Sequence, residues 1–361
     1  MEIQALLETI TDLSHEFGGT DYVKGGGGNT SVKTAETLYV KPSGVTLAGL
    51  APDKFVAMNR QKLGELFSAE APSEASAREE LVKNMMAAAV LPGFTGRPSV
   101  EAPLHDTFRA TYVVHTHPAV VNGMTCARNG ESVCRQLFPK ALWVDYIDPG
   151  YTLCMAVRKT IQEYEKQHGH EPNIVFLKNH GVFIAGNTPD EVRATYKTVL
   201  DTLHAEYQKA GIALTFPISS APADTASVKQ LLSAAGGADV AAVEASGFFK
   251  VAADAITPDH IVYAKSFPWK GEISAASFQA YKAERGYAPR VYAGDTAVYG
   301  LGSTAKVAAL ALEFAQDGAL VEQLAQAFGG IQYLDDSSRL FIENWEVESY
   351  RQKVMETASA K

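Results

Sequence analysis

The stretch Tyr112-Val113-Val114-His115-Thr116-His117-Pro118 joins an apolar run to two histidines placed two positions apart. The apolar run predicts a buried β-strand that ends at the proline. Side chains two positions apart on a strand project from the same face, so both imidazoles can reach one point. Histidine is uncommon inside buried strands, and this spacing therefore favours a site over the alternative of two ordinary core residues.

A third histidine stands in a similar setting. Ile174–Leu177 is a second apolar run, and Asn179-His180-Gly181 follows it as a turn. Three imidazoles with an open fourth position are typical of a catalytic zinc site, whereas a structural zinc site usually carries four protein ligands. We therefore expect His115, His117 and His180 to bind one Zn²⁺, or another divalent transition metal.

A glutamate lies just upstream of the histidine strand. Ser99 suits the N-cap of a helix that would end near Ala110 and carry Glu101 in its first turn. A half-buried carboxylate beside a cation can act as a general base. The alternative is that Glu101 only complements the helix dipole.

Five short motifs follow one another along roughly the first 210 residues. They are Gly28-Asn29-Thr30-Ser31, Pro42-Ser43-Gly44, Ser99-Val100-Glu101 with His105, His115-Thr116-His117-Pro118 and Asn179-His180-Gly181. In these motifs the chain resembles the class II aldolase/adducin family, and within it the fuculose- and rhamnulose-1-phosphate aldolases. The resemblance implies an α/β fold, a three-layer α/β/α sandwich with a mostly antiparallel central sheet. It also implies Zn²⁺ on the three histidines, with Glu101 as the acid/base.

The resemblance further implies a site for the phosphate of a sugar substrate. Its residues would be Gly28, Asn29, Ser43, Gly44 and Ser99. Successive glycines before Asn29 can curl backbone N–H groups around an anion, although the same run would also serve as a flexible surface loop. Family members commonly have two serines before the glutamate, but Val100 takes the second place here and leaves phosphorylation of the substrate open. Lys41 could compensate as a point charge; otherwise it is an ordinary surface lysine.

One tyrosine completes the set of residues that the resemblance suggests. Family aldolases use a tyrosine to protonate the leaving aldehyde. Tyr146 and Tyr151 both follow a short strand predicted over residues 141–144. We assign the role to Tyr146, and the alternative is a tyrosine that only packs.

The expected function is a zinc-dependent aldolase, a lyase that cleaves a ketose or ketose phosphate through a metal-stabilised enediolate. Dehydratases, decarboxylases and epimerases could use the same metal and Glu101. Epimerases of the family usually carry Asp at the position of Glu101, and adducin-like binding proteins lose the metal histidines. Neither departure occurs in this chain, which favours the lyase.

Composition agrees with a metabolic enzyme. The 361 residues are 46% hydrophobic and 20% charged, and their net charge of -9 argues against a nucleic-acid or membrane surface as partner. Three scattered cysteines, no apolar run of membrane-spanning length and an N-terminus unlike a signal peptide predict a cytoplasmic location. Family aldolases are tetramers, so we expect a homo-oligomer.

The length suggests two domains. We expect a metal-binding catalytic domain over residues 1–215 and a smaller α/β domain over residues 225–361, with a linker at 216–223. Residues 289–314 echo the segment that starts at residue 172, which predicts a degenerate partial repeat without the third histidine. Residues 258–265 and 341–348 also resemble segments of fused aldolase/dehydrogenase proteins. A rival interpretation is the minimal dinucleotide fingerprint at 300–305, although too few residues follow it for a second βαβ half.

Overall fold

The computed structural model describes residues 3–220 and 225–345, which divide into two units. The first unit comprises the described residues up to Val121 together with Glu131–Leu203. The second comprises Asn122–Gly130 and the described residues from His204 onward. The domain ranges 1–215 and 225–361 stay a prediction. Residues 221–223 of the expected linker, and 346–348 of the expected fusion-like segment, lie outside the described residues.

A seven-stranded sheet forms the centre of the first unit. Its strands are β1 (Asn29–Lys33), β2 (Thr37–Val40), β3 (Val56–Asn59), β4 (Tyr112–Thr116), β5 (Leu142–Val144), β6 (Ile174–Leu177) and β7 (Gly181–Gly186). Their order is β3-β2-β1-β4-β7-β6-β5. Only the β5–β6 pair of this sheet is parallel, so the predicted mostly antiparallel α/β fold is confirmed.

Helices cover both faces of this sheet, which makes it the middle of three layers. They are α1 (Ile3–Glu16), α2 (Arg60–Glu65), α3 (Ala75–Ala89), α4 (Ala102–Thr107), α5 (Ala119–Thr125), α6 (Gly130–Leu137), α7 (Tyr151–His168) and α8 (Pro189–Lys209). On one face, α2, α3, α4 and α7 pack against the apolar side chains of the strands. On the other face, Ser14 of α1 lies 2.6 Å from Thr30 of β1, and Tyr196 of α8 hydrogen-bonds Thr116 of β4.

The first helix follows from a three- and four-residue apolar spacing. Leu6, Leu7, Ile10 and Leu13 are buried as this spacing predicts, and the helix gives way to a turn before Gly18. Ile3 has the same spacing but is exposed, since it is the first residue of the helix. None of the helices in the described part of the chain combines the length and hydropathy that a bilayer crossing requires.

The second unit contains a smaller sheet with the order β8-β10-β9. Its strands are β8 (Ala242–Gly247), β9 (Val291–Ala293) and β10 (Ala297–Gly302), and the remaining helices are α9 (Thr225–Gly236), α10 (Pro258–Ala264), α11 (Ala275–Arg285), α12 (Ala305–Ala325) and α13 (Asp336–Asn344). Like β4-β7-β6, this sheet has a central strand antiparallel to both neighbours, followed by a helix of 21 residues. A parallel bridge between Trp269 and Tyr292 stands where β5 pairs with β6. These shared features support the predicted partial repeat, which stays a hypothesis.

The strand registers identify which residues of the second sheet correspond to the paired histidines. When the two hairpins are aligned on the threonine that caps the following helix, His115 corresponds to Ala245 and His117 to Gly247. A Cβ atom on Gly247 would lie 1.6 Å from the carbonyl oxygen of Ser219. That position therefore has no room for a side chain, and the second sheet lacks both histidines.

The glycines of the suggested dinucleotide fingerprint have another explanation. A Cβ on Gly300 would lie 2.1 Å from the carbonyl oxygen of Ala308, and a Cβ on Gly302 would lie 2.5 Å from its nitrogen. Both glycines thus permit close packing of β10 on α12. Because β10 is antiparallel to both neighbours, the segment also lacks the parallel strand arrangement of a dinucleotide-binding βαβ unit.

A buried lysine stabilises the C-terminal end of α4. Lys33, at the end of β1, is 5% exposed, and its Nζ donates to the carbonyl oxygens of His105 (2.6 Å) and Phe108 (2.7 Å). Burial lowers the pKa of Lys33 to about 7, and Asp106 nearby only partly opposes the shift. A neutral amine still has two N–H groups, which suffice for the two carbonyls.

This burial predicts a pH-dependent stability. Above about pH 7 the folded protein holds Lys33 neutral, whereas the unfolded chain keeps the proton up to about pH 10. The free energy of unfolding should therefore rise between these two values, and Lys33→Met should lower that slope. Denaturant titrations across this range measure the effect, with the exposed Lys54→Met as the control. Equal slopes in wild type and Lys33→Met would contradict the assignment.

Candidate metal centre

Three imidazoles converge at one end of the central sheet. The Nε2 atom of His115 lies 2.9 Å from Nε2 of His117 and 3.4 Å from Nε2 of His180. All three potential ligand atoms lie within 4.8 Å of one another. Bonds of about 2.1 Å to a tetrahedral zinc would place its nitrogen ligands about 3.4 Å apart. The spacing therefore suits a single zinc ion.

The turn between β6 and β7 brings His180 to this point. Asn179 takes a left-handed conformation (φ 52°), which asparagine tolerates better than most residues. A Cβ on Gly181 would lie 2.4 Å from the carbonyl oxygen of Thr116 and 2.7 Å from Cδ2 of His117. Only glycine at this position lets the turn approach the end of β4 closely enough for His180 to join the pair.

The ring of His115 is fixed from two sides. Its Nδ1 lies 3.0 Å from the carbonyl oxygen of Val182, which accepts a hydrogen bond from Nδ1–H and leaves Nε2 for the centre. The ring of Phe183 stacks on it with 3.9 Å between centroids and 8° between planes. His115 is completely buried, so these contacts define its orientation.

Glu101 faces the three histidines. Its Oε1 atom lies 3.4 Å from Nε2 of His115 and 3.6 Å from Nε2 of His180, while Oε2 accepts a hydrogen bond from Nδ2 of Asn29. Burial would raise the pKa of the carboxyl group, but His115, His180 and His117 outweigh it and hold the pKa well below its usual range. Within the described residues Oε1 has no hydrogen-bond partner. A buried carboxylate oxygen beside three imidazole nitrogens suits a cation.

The predicted helix around Glu101 is shorter than expected. Helix α4 spans Ala102–Thr107, so Glu101 precedes it instead of lying in its first turn, and the end near Ala110 is wrong. The hydroxyl of Ser99 accepts the backbone N–H of Glu101 at 3.2 Å. The helix ends early because Phe108 is extended.

The residues suggested for a phosphate site lie on three neighbouring loops. Gly28 has a left-handed φ of 70°, and a Cβ there would lie 2.8 Å from the carbonyl oxygen of His115. Asn29, next in the chain, is the direct β1 partner of His115. The loop with Ser43 and Gly44 runs beside the segment that leads to Ser99, through backbone hydrogen bonds and a bridge between two prolines.

Lys41 connects these loops from inside the protein. It is 2% exposed, and its Nζ donates to the carbonyl oxygens of Val45 (2.6 Å) and Gly26 (3.4 Å). The interpretation as a surface lysine is therefore wrong. The lysine joins the glycine run to the loop of Ser43, so the run is held against its neighbours.

Tyr146 lies in the segment that follows β5. Lys178 donates its backbone N–H to the carbonyl oxygen of Val144 at 3.0 Å, and its Nζ lies 3.7 Å from Asp145. The segment thus leaves the sheet beside the turn that carries His180. Tyr146 is half-buried, and its assignment as a proton donor stays a prediction.

Two supporting residues were not anticipated from the sequence. Phe183 orients His115, and Lys33 holds the end of α4. The sequence does contain a signal for Lys33. Asn29, Ser31 and Lys33 occupy every second position of a short segment, which indicates a strand with one polar face. Nothing in the sequence indicates that the polar face is buried.

Residues 8–207 match the family model for the Class II Aldolase and Adducin N-terminal domain. The match covers more than half of the chain, which therefore belongs to the class II aldolase and adducin family. The uncharacterized oxidoreductase YuxG of Bacillus subtilis (strain 168) is 29% identical over 175 residues, which are 46% of this chain and 24% of that protein. The chain thus spans about a quarter of the length of this curated relative.

Solved structures of similar fold come from several organisms. The N-terminal class II aldolase domain of a conserved protein from Thermoplasma acidophilum has a TM-score of 0.48 and 22% identity, covering 55% of this chain and 92% of that one. The l-fuculose-1-phosphate aldolase from Thermus thermophilus has a TM-score of 0.38 and 16% identity, covering 58% and 97% respectively.

The geometry predicts that each histidine is needed for tight metal binding. His117→Ala removes one of three converging nitrogens, and we expect the purified variant to lose its stoichiometric zinc. Elemental analysis after dialysis measures the metal content. His168→Ala, at the exposed end of α7, is the control and should retain the wild-type zinc content. Stoichiometric zinc in His117→Ala would exclude this residue as a ligand.

Proposed function

We propose that this protein is a zinc-dependent aldehyde-lyase that cleaves a ketose or ketose phosphate, with Glu101 as the acid/base. The convergence of Nε2 of His115, His117 and His180 with Oε1 of Glu101 carries the proposal. Zinc held by the three histidines would supply Lewis-acid polarisation of the substrate carbonyl and its neighbouring hydroxyl.

Side chains of the protein would carry out the proton transfers of the reaction. In an aldol cleavage, the hydroxyl group on the β-carbon loses its proton and becomes the carbonyl of the aldehyde. The bond between the α- and β-carbons breaks, and its electron pair moves onto the α-carbon and towards the ketone carbonyl. Glu101 would deliver a proton to the carbon that gains this pair, or remove it in the reverse direction. Tyr146 would exchange the proton of the hydroxyl that becomes the aldehyde.

The loops of Gly28, Asn29, Ser43, Gly44 and Ser99 support a proposed subsite for the far end of the substrate. Lys41 holds the glycine run beside this region while its Nζ donates to backbone carbonyls. Any phosphate there would be bound mainly by backbone N–H groups and hydroxyls.

We further propose a cytoplasmic homo-oligomer, a tetramer as in the family aldolases. The cysteines support the location, because all three are free, whereas proteins of oxidising compartments commonly carry disulfides. The oligomer is testable by light scattering of the purified chain.

Incubating the zinc-loaded protein with a panel of free and phosphorylated ketoses tests the reaction class. We expect release of an aldehyde together with a three-carbon ketone fragment from at least one ketose. Inversion at a single carbon without cleavage would indicate an epimerase instead, and loss of water or of CO2 would indicate a dehydratase or a decarboxylase. Stoichiometric zinc without turnover of any member would favour a binding protein.

The proposal predicts a separation of metal binding from turnover. Glu101→Gln keeps the shape of the side chain but cannot transfer the proton, so turnover should fall by about 10²–10⁴ at saturating zinc. Zinc stoichiometry should stay near that of the wild type, because the three histidines remain. Glu131→Gln, an exposed carboxyl on α6, is the matched control. Wild-type turnover in Glu101→Gln would remove Glu101 from the mechanism.

A further inference from the structure

We infer that Asn29, Ser31 and Lys33 form a polar rail that positions Glu101 at the metal centre, and that the side chain of Asn29 serves as a positioning residue for this carboxylate. The inference rests on the proposed role of Glu101 as the acid/base. The rail is defined by these three alternate residues of β1, which share one face of the sheet.

Every rail residue contacts the segment that carries Glu101. Asn29 donates to Oε2 of Glu101, Ser31 Oγ lies 2.8 Å from Nδ1 of His105, and Lys33 binds two carbonyls at the end of α4. The step from Asn29 to Ser31 along β1 is about 6.7 Å. The four residues from Glu101 to His105, which lead into α4, would advance about 6 Å at the helical rise. These two steps are similar, so β1 can hold both Glu101 and α4.

The rail is buried, which makes its polarity costly unless every contact is made. Asn29 is 3% exposed, Ser31 is 0% and Lys33 is 5%. The intervening residues of β1 face the opposite layer, where Thr30 meets Ser14 and Val32 is apolar. Apolar side chains facing α4 would pack without this cost. A requirement for fixed positions explains why this face is polar.

Because Asn29 binds only one oxygen of Glu101, the two carboxylate oxygens have different partners. An amide nitrogen can only donate, so Oε2 is occupied as an acceptor. The remaining oxygen, Oε1, is then turned towards His115 and His180 at 3.4 and 3.6 Å. Without Asn29 the carboxylate could rotate, and either oxygen could leave this position.

The second rail contact extends to the first metal ligand. His105, held by Ser31, meets the ring of Phe183 edge-on with 5.4 Å between centroids. Phe183 in turn stacks on His115. The same strand therefore fixes both the acid/base and one predicted zinc ligand.

Kinetics of Asn29→Ala at saturating zinc distinguish a side chain that positions Glu101 from one that only contacts the substrate. If it positions Glu101, kcat should fall about 10–100-fold while KM for a phosphorylated ketose changes little. A rise in KM at unchanged kcat would instead identify a substrate contact and overturn the inference. Asn29→Asp has nearly the same size but lacks the donor, so it should lose at least as much kcat and repeats the test if Asn29→Ala folds poorly.

Zinc affinity provides a readout that needs no substrate. Competition with a chelator should show about 10-fold weaker binding in Asn29→Ala and in Ser31→Ala, because Oε1 and His115 are held less firmly. Thr30→Ser, on the opposite face of β1, should bind zinc like the wild type. Weakened binding in both rail variants supports the rail even if no ketose in the panel is cleaved, in which case the proposed function alone fails. Wild-type affinity in both variants would refute the rail.

Discussion

The antiparallel pairing of β4 with β1 on one side and β7 on the other determines the geometry of the whole centre. It places Asn29, His115 and Phe183 side by side in one row across the sheet. A slip of one residue in either pairing would turn His115 and its neighbours in the row to opposite faces. The hydrophobic layers prevent such a slip, because the residues on both sides of His115 are buried on the other face. The core that stabilises the sheet thus also aligns the side chains of the site.

This alignment places polar and charged side chains in the protein interior, where a polar group without a partner is energetically unfavourable. Glu101 and His115 are buried, and one carboxylate oxygen has no hydrogen-bond partner in the described residues. A cation bound by the imidazoles would compensate for this arrangement electrostatically, and it would let an acidic chain present a local positive charge to an anionic substrate. The polar rail on β1 complements the cation, since Asn29 binds Oε2 of Glu101 while Oε1 faces His115 and His180. Metal and rail would together define where the carboxylate lies.

Local sequence spacing predicted the parts of the site that depend on one element at a time. The pairing of His115 in β4 with His117 just beyond it follows from strand periodicity, and His180 follows from an apolar run ended by a turn. The contacts of Glu101 could not be predicted in this way, because Asn29 lies 72 residues before it and the strand pairing that joins them depends on the whole sheet. The burial of Lys41 could not be predicted for the same reason. A lysine between two turn-forming segments resembles a surface residue until the loops that surround it are known.

The second unit shows which features of the first sheet are needed for packing and which are needed only for the metal site. Its three-stranded sheet and following helix keep the order and antiparallel register of β4, β7 and β6, so this arrangement is stable without any metal ligand. At Gly247, which corresponds to His117, a backbone oxygen closes the space. Replacing only the ligands in such a sheet would not restore a centre, because among the residues that the structure describes β8 has no counterpart of β1 beside it. The metal site therefore depends on a strand beyond the shared hairpin, which is the strand that carries the rail.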